Sequence, residues 1–165
     1  MCDSRESNSA KAIIEFLARE NKSIAVVESC TGGLINYTFS QISGASSVFR
    51  GGIVSYQNEI KIAVLGVDER ILREKSAYSF EVVDLMLLRI CEIMDSDFAI
   101  ATSGIAGPNG GSEKMPVGSV FVGVKKRGEK SVIKKEIFSG NRVAIQTQAM
   151  QFAIDLFKSE FIKQF

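Results

Sequence analysis

Three side chains of this sequence could together cleave an amide without histidine, which the chain lacks entirely. Ser29 follows the short apolar run 24–27 and opens a glycine-rich turn before a predicted helix. Lys61 could serve as its general base, since burial or nearby positive potential lowers the pKa of a lysine. Tyr56, at the end of the next predicted strand, could relay a proton or orient Lys61. Because the missing histidine excludes Ser-His-Asp and Cys-His machinery, these residues favour a Ser/Lys mechanism.

Each of these residues also has a structural interpretation that the sequence leaves open. Ser29 or Thr31 could cap the following helix, which is a common role for hydroxyl side chains. Lys61 could be a solvated lysine, and Tyr56 could pack at the edge of the core. Cys30 is a rival nucleophile because a helix N-terminus lowers the pKa of a thiol, although no histidine is present to assist it.

Backbone N–H groups at two glycine-rich segments could bind an anion. The turn 28–33 includes Gly32 and Gly33, which would allow a ligand to approach closely, and its N–H groups at a helix N-terminus suit an oxyanion or a phosphate. A long loop from Ser103 to Pro116 could present further N–H groups to an anion. Its candidate binding residues are Ser103, Gly104, Gly107, Gly110 and Gly111.

The glycine loop does not have the spacing of a Walker A motif, so the sequence does not indicate ATP chemistry. Arg142 stands where the last predicted helix begins. Its guanidinium could hold a phosphate through two hydrogen bonds, or it could be an ordinary surface arginine.

Composition narrows the partners and the compartment. The formal net charge of +1 is too small for a protein that binds nucleic-acid backbones in bulk. Cys2, Cys30 and Cys91 have no paired spacing, which suits a reducing cytoplasm and makes no zinc cage. The sequence has neither an apolar run of about 20 residues nor a recognisable signal segment. We therefore expect a cytoplasmic protein with no metal, no cofactor and no membrane contact.

The apolar pattern predicts one α/β domain, residues 1–165 with its core at about 10–158, built on a mixed sheet covered on both faces. The predicted strands are 24–27, 51–56 and 98–101, followed by an antiparallel hairpin that turns at 126–129. The predicted helices start at Ala10, at Leu34, after Asn58 as N-cap with Lys61 in the first turn, after Ser79, and after the segment 139–141.

Five ordered blocks of this sequence resemble the CinA C-terminal domain family, in its stand-alone PncC-type form. The similarity runs from about Ala10 to Leu156, and five blocks in order are far more specific than any one of them. The blocks are Glu28-Ser29-Cys30-Thr31-Gly32-Gly33, the segment from Gly51 to Lys61 with Leu65-Gly66-Val67, the segment from Ser103 to Gly111, Pro116-Val117-Gly118, and Phe138-Ser139-Gly140-Asn141-Arg142.

The resemblance implies a three-layer α/β/α fold and a metal-free amidase that hydrolyses nicotinamide mononucleotide to nicotinate mononucleotide and ammonia. By analogy Ser29 attacks the carboxamide, Lys61 takes the proton, Tyr56 supports the transfer, and N–H groups near Cys30 and Thr31 hold the oxyanion. The substrate phosphate would fall to the glycine loop and Arg142. Family members often self-associate, so the resemblance also implies a homo-oligomer acting on a small-molecule substrate.

This chain departs from the family pattern at a few positions. It has Ser76-Ala77-Tyr78-Ser79 where the family usually has Gly-Ala-Val-Ser, Met115 where a lysine commonly precedes Pro116, and Gln146 in place of a second arginine. These changes bear on substrate and affinity more than on mechanism. They leave two alternatives: a non-catalytic nucleotide-binding or interaction module linked to competence or DNA-damage responses, and an amidase for a carboxamide without the phosphate.

Overall fold

Apolar runs form two interior strands of the sheet, because a strand covered on both faces needs apolar side chains on both sides. In the computed structural model, which describes residues 4–162, these strands are β1 (Ile24–Glu28) and β3 (Phe98–Gly104), and every residue of both is buried. Glu28, expected in the turn after the first strand, is instead its last residue. The third strand continues to Gly104, three residues beyond its predicted end, because it stays paired with its antiparallel neighbour.

The sheet has five strands in the order β2-β1-β3-β4-β5. β2 (Phe49–Val54) and β3 both run parallel to β1, whereas β4 (Ser119–Lys126) and β5 (Val132–Ile137) are antiparallel. The mixed sheet and the antiparallel hairpin predicted from the sequence are therefore confirmed.

Helices cover both faces of the sheet and give it two hydrophobic cores. On one face lie α1 (Ser4–Glu20), α2 (Leu34–Ser40) and α6 (Arg142–Phe161). On the other lie α3 (Asn58–Ala63), α4 (Glu69–Lys75) and α5 (Phe80–Ile93). This is the expected three-layer α/β/α sandwich. Within residues 4–162, no helix is both long and apolar enough to cross a bilayer.

Two details of the helices on the second face differ from the sequence prediction. α3 begins at Asn58 with Gln57 as N-cap, so Asn58 is not the cap, and Lys61 lies in the last turn of this short helix. α4 was not predicted, because its sequence is mostly charged and has too few apolar residues to show a helical period.

The chain order creates a crevice above the carboxyl ends of β1 and β3. From β1 the chain crosses one face through α2 to β2, and from β2 it crosses the other face through α5 to β3 on the opposite side of β1. The loops that follow β1 and β3 thus diverge. Such a switch point is where open α/β sheets bind ligands.

Ser76, the first of the departures from the family pattern, takes an unusual backbone conformation at the end of α4. Its φ of 71° and ψ of 152° lie in a region that essentially only glycine adopts without strain. The glycine that the family pattern has here fits this conformation. The serine side chain adds one long hydrogen bond, in which the Tyr78 N–H donates to its Oγ at 3.3 Å.

We expect Ser76→Gly to stabilise the protein by about 1 kcal/mol, because relief of strain exceeds the entropy gained by the unfolded chain. Thermal unfolding should show a rise of about 2–4 °C in Tm. Ser76→Ala is the matched control, since it removes the hydroxyl but keeps Cβ. Equal Tm values for the two variants would contradict the role of backbone strain.

Candidate active site

The chain turns at the end of β1 in a way that brings Ser29 next to Lys61. Lys61 Nζ lies 3.2 Å from Ser29 Oγ and 2.6 Å from the carbonyl oxygen of Ser55. Both side chains are nearly inaccessible, with Ser29 5% and Lys61 1% exposed. The interpretation of Lys61 as a solvated surface residue is therefore wrong.

Burial lowers the pKa of Lys61 from 10.5 to about 8, because loss of hydration penalises the ammonium form. Lys61 lies in the last turn of α3 and not in the predicted first turn, so the positive end of the helix dipole is not the cause. A neutral amine can donate one N–H to the Ser55 carbonyl and point its lone pair at Ser29 Oγ. The pair has the geometry and the proton affinity for base-assisted attack by the serine.

Glu28 is the acidic residue that organises the turn after β1. Its fully buried carboxylate accepts hydrogen bonds from the N–H groups of Gly33, Ile35 and Asn36, at 2.9–3.2 Å, and from Asn36 Nδ2 at 2.7 Å. A carboxylate at a helix N-terminus is favoured by the helix dipole and by charge-assisted hydrogen bonds. Glu28, rather than Ser29 or Thr31, therefore caps α2.

The N–H groups that the carboxylate leaves available are those of Cys30 and Thr31. The Gly32 N–H donates to Ser29 O at 3.1 Å, and the Gly33 N–H is used by Glu28. Among residues 4–162 the Thr31 N–H meets no acceptor. Gly32 and Gly33 have φ of 64° and 107°, so the turn needs them for its backbone conformation.

Ser29 opens into a cavity of about 130 Å³ in the crevice between the β1 and β3 loops. This is well below the roughly 300–1,000 Å³ of sites that enclose drug-sized ligands, so it would hold part of a nucleotide rather than all of it. The lining residues are Ser29, Cys30, Tyr56, Tyr78, Gly104, Ile105, Ala106, Gly107, Asn109, Gly110 and Arg142.

Arg142 and Tyr56 contact each other at the edge of this cavity. Arg142 donates from Nη1 to Gly107 O at 2.6 Å and from Nη2 to the Tyr56 hydroxyl. Tyr56 is 54% exposed, so it is not packed in the core, and its hydroxyl is bonded to Arg142. Lys61 is held by Ser55 instead, which corrects the expectation that Tyr56 orients it.

Several of the expected binding residues are not among those whose atoms line the cavity. The hydroxyl of Thr31 pairs with Thr102 at 2.7 Å, and Ser103 Oγ donates to Ala77 O at 2.8 Å. Gly111 packs against Val117. These three residues, with Gly32 and Gly33, do not line the cavity, whereas Gly104, Gly107 and Gly110 do.

The sequence interpretation missed three contributors to the site. Ser55 was not singled out, and its carbonyl anchors Lys61. Tyr78 was noted only as a departure from the family, yet it lines the cavity. Gln146 was noted only as a lost cation, yet its side chain donates to Cys30 O at 2.8 Å. The signal available in the sequence was an acidic residue, Glu28, placed directly after an apolar run and before Ser29, where it could cap the turn.

Cys30 is not suited to act as the nucleophile. Burial raises the pKa of its thiol to about 12, so the thiol stays protonated near neutral pH. The expected effect of the helix N-terminus is outweighed by the loss of hydration. Within residues 4–162, no three Cys, Asp or Glu side chains gather in a cluster that could hold a metal ion.

The sequence of this chain is similar to a known protein family and to several known proteins. The model of the CinA C-terminal domain matches residues 6–161. A CinA-like protein of Prochlorococcus marinus (strain MIT 9215) is 41% identical over 145 residues, which cover 87% of this chain and 34% of that protein. A CinA-like protein of Fervidobacterium nodosum is 41% identical over 152 residues, covering 92% and 37% respectively. The chain thus spans about a third of the length of the curated relatives that it matches.

The fold is also similar to solved structures. The crystal structure of the competence/damage inducible protein CihA from Agrobacterium tumefaciens superposes with a TM-score of 0.93 at 29% identity. The match covers 96% of this chain and 97% of that one. A competence damage-inducible protein from Klebsiella pneumoniae superposes with a TM-score of 0.90 at 27% identity.

We expect the amino group of Lys61 to titrate with a midpoint near pH 8, because its burial beside Ser29 disfavours the ammonium. The measurement is a pH titration of lysine side-chain resonances by NMR, with the Lys61 signal assigned by its loss in Lys61→Met. A midpoint at or above the ordinary value of 10.5 would show that the amine is solvated in solution.

Proposed function

The chain belongs to the CinA C-terminal domain family, and on that basis we propose that it is an amidase that hydrolyses nicotinamide mononucleotide to nicotinate mononucleotide and ammonia. The observation that carries the proposal is the 3.2 Å approach of the buried Lys61 Nζ to Ser29 Oγ. Burying a lysine costs folding free energy and makes the amine less basic. Such perturbed groups cluster at functional sites, which supports a chemical role for Lys61 beside Ser29.

In the proposed first step, Ser29 Oγ attacks the carboxamide carbon while its proton passes to neutral Lys61. The Ser55 carbonyl supports this step by holding the amine in place at 2.6 Å. The negative oxygen that develops on the carbonyl is stabilised by the N–H groups of Cys30 and Thr31, the two that the turn leaves available.

In the second step the Lys61 ammonium returns its proton to the departing nitrogen, so that ammonia leaves and an acyl ester remains on Ser29. A water molecule then attacks this ester while Lys61 takes its proton, and Lys61 returns that proton to Ser29 Oγ as nicotinate mononucleotide is released. Microscopic reversibility lets the same amine serve as base and acid in both halves.

The cavity favours an aromatic carboxamide as the group that enters. Tyr56 and Tyr78 line it and offer aromatic faces against which a pyridine ring can pack. We assign Tyr56 to substrate contact rather than to proton relay, because its hydroxyl already accepts from Arg142. Arg142 retains free N–H donors beside the Gly107–Gly110 segment, a suitable place for the phosphate.

We further propose that the protein works in the cytoplasm, where its buried thiols at Cys30 and Cys91 would stay reduced.

We propose self-association as well. Exposed apolar side chains beside the sheet edge, Tyr37, Val54, Ile60 and Val64, offer a surface for it. Sedimentation equilibrium of the purified protein tests this proposal.

We expect purified protein to release ammonia from nicotinamide mononucleotide in the presence of EDTA, and Ser29→Ala and Lys61→Met each to reduce kcat by about 1,000-fold or more. Wild-type kcat/KM should rise with pH and level off above about pH 8, since the neutral amine is the active form. Ser40→Ala and Lys11→Met, which alter exposed residues of the same types, are the matched controls.

Absence of turnover by folded wild-type protein, with other carboxamides also tested, would contradict the amidase proposal. It would favour the alternative of a non-catalytic binding or interaction module. Relatives described as competence/damage inducible proteins motivate that alternative. Turnover of the riboside but not of the mononucleotide would instead favour an amidase for an unphosphorylated carboxamide.

We expect Arg142→Met to raise KM for the mononucleotide by about 10- to 100-fold, because a charge-assisted contact with its phosphate is lost. KM for nicotinamide riboside, which has no phosphate, should change much less. The control is Arg127→Met, which lies beside the start of β3, at the opposite end of the strands from the cavity, and is paired with Asp95. Equal increases in KM for both substrates would show that Arg142 does not bind the phosphate.

A further inference from the structure

Gln146 connects α6 to the peptide group that follows Cys30. Its Nε2 donates to Cys30 O at 2.8 Å, across 116 positions of sequence. The side chain is partly buried and also lies over Gly32, whose missing Cβ would stand 3.8 Å from the same nitrogen. The amide therefore contacts the turn itself and is not a spare ligand for a phosphate.

The carbonyl of Cys30 and the N–H of Thr31 belong to one planar peptide group. Because this group is rigid and trans, its oxygen and its hydrogen point in opposite directions, and holding one aims the other. The Thr31 N–H meets no acceptor among the described residues. The hydrogen bond that holds Cys30 O therefore also fixes the direction of the Thr31 N–H.

The neighbouring peptide group is held in a different manner. Its oxygen, Ser29 O, accepts the Gly32 N–H at 3.1 Å, so that the backbone of the turn fixes the N–H of Cys30. On the other side of Thr31, its carbonyl accepts the Leu34 N–H at 3.2 Å. In the part of the chain that the structure describes, Gln146 supplies the side-chain anchor between these two backbone bonds.

We propose that Gln146 is a positioning residue for catalysis: by holding Cys30 O, it aims the Thr31 N–H at the oxyanion of the tetrahedral intermediate. This inference rests on the proposed amidase function. Gln146 acts only through the peptide group and touches neither Ser29 Oγ nor Lys61 Nζ. Its contribution appears when negative charge develops on the substrate, so it affects the transition state more than substrate binding.

The test compares Gln146→Met, which keeps the length of the side chain without its donor, with Gln146→Arg, which restores N–H donors. We expect the Met variant to lose about 10- to 100-fold in kcat, less than the roughly 10²–10³ for outright loss of one oxyanion donor. KM should stay within about twofold, and the pH midpoint should not move, because Lys61 is untouched. The Arg variant should recover most of kcat.

Gln148→Met is the matched control, since Gln148 is an exposed amide of the same helix that donates to Ser139 O and Ala144 O. It should leave kcat and KM at wild-type values. Thermal unfolding of all variants separates loss of fold from loss of positioning.

A wild-type kcat in the Met variant, with the wild type active, would overturn the positioning role and leave the amidase intact. Equal loss in the Met and Arg variants would also overturn it, since the donated hydrogen bond would then not be what matters. A wild type inactive on all carboxamides would instead refute the proposed function, and the role of Gln146 in aiming an oxyanion donor would fall with it.

Discussion

The buried carboxylate of Glu28 is the constraint on which the site depends. With its side chain Glu28 satisfies three N–H groups at the start of α2, and with its backbone oxygen it accepts the Ser55 N–H at 2.8 Å. Ser55 in turn holds Lys61 through its own carbonyl. One residue thus sets the start of the helix that follows the proposed nucleophile and the segment that carries the proposed base. A carboxylate buried at this point is tolerated because backbone N–H groups donate three of the four hydrogen bonds that it accepts, and the Asn36 side chain donates the fourth.

The same arrangement explains how a lysine can occupy the interior. An ammonium that loses its hydration is unstable, and the folded state responds by lowering the pKa of the group toward the working pH. The Ser55 carbonyl and the Ser29 hydroxyl satisfy the amine without placing a carboxylate against it, which would have kept the proton on. Burying Lys61 costs folding stability, and in the proposed function the lowered pKa gives a base of useful strength, as is common at active sites.

Much of the fold, and the central pair of the site, could be predicted from the sequence. Continuous apolar runs marked β1 and β3, and the absence of histidine directed attention to Ser29 and Lys61. What could not be predicted depends on contacts between distant segments. The bond from Arg142 to Tyr56 spans 86 positions and leaves no local pattern, so Tyr56 was given a role beside Lys61. α4 was missed because helices rich in charge form through tertiary packing rather than through an apolar period.

The departures from the family pattern fall mainly around the Ser29–Lys61 pair rather than in it. Met115 packs against the core on the face that α3, α4 and α5 cover and does not line the cavity, while Ser76 affects the backbone at the end of α4. Tyr78 and Gln146 are closer: one forms part of the cavity wall and the other holds the turn. A glutamine can replace an arginine at such a position because the turn needs a donated N–H and not a positive charge. The chain can therefore vary at these surrounding positions while the serine, the lysine and the backbone that directs them keep one geometry.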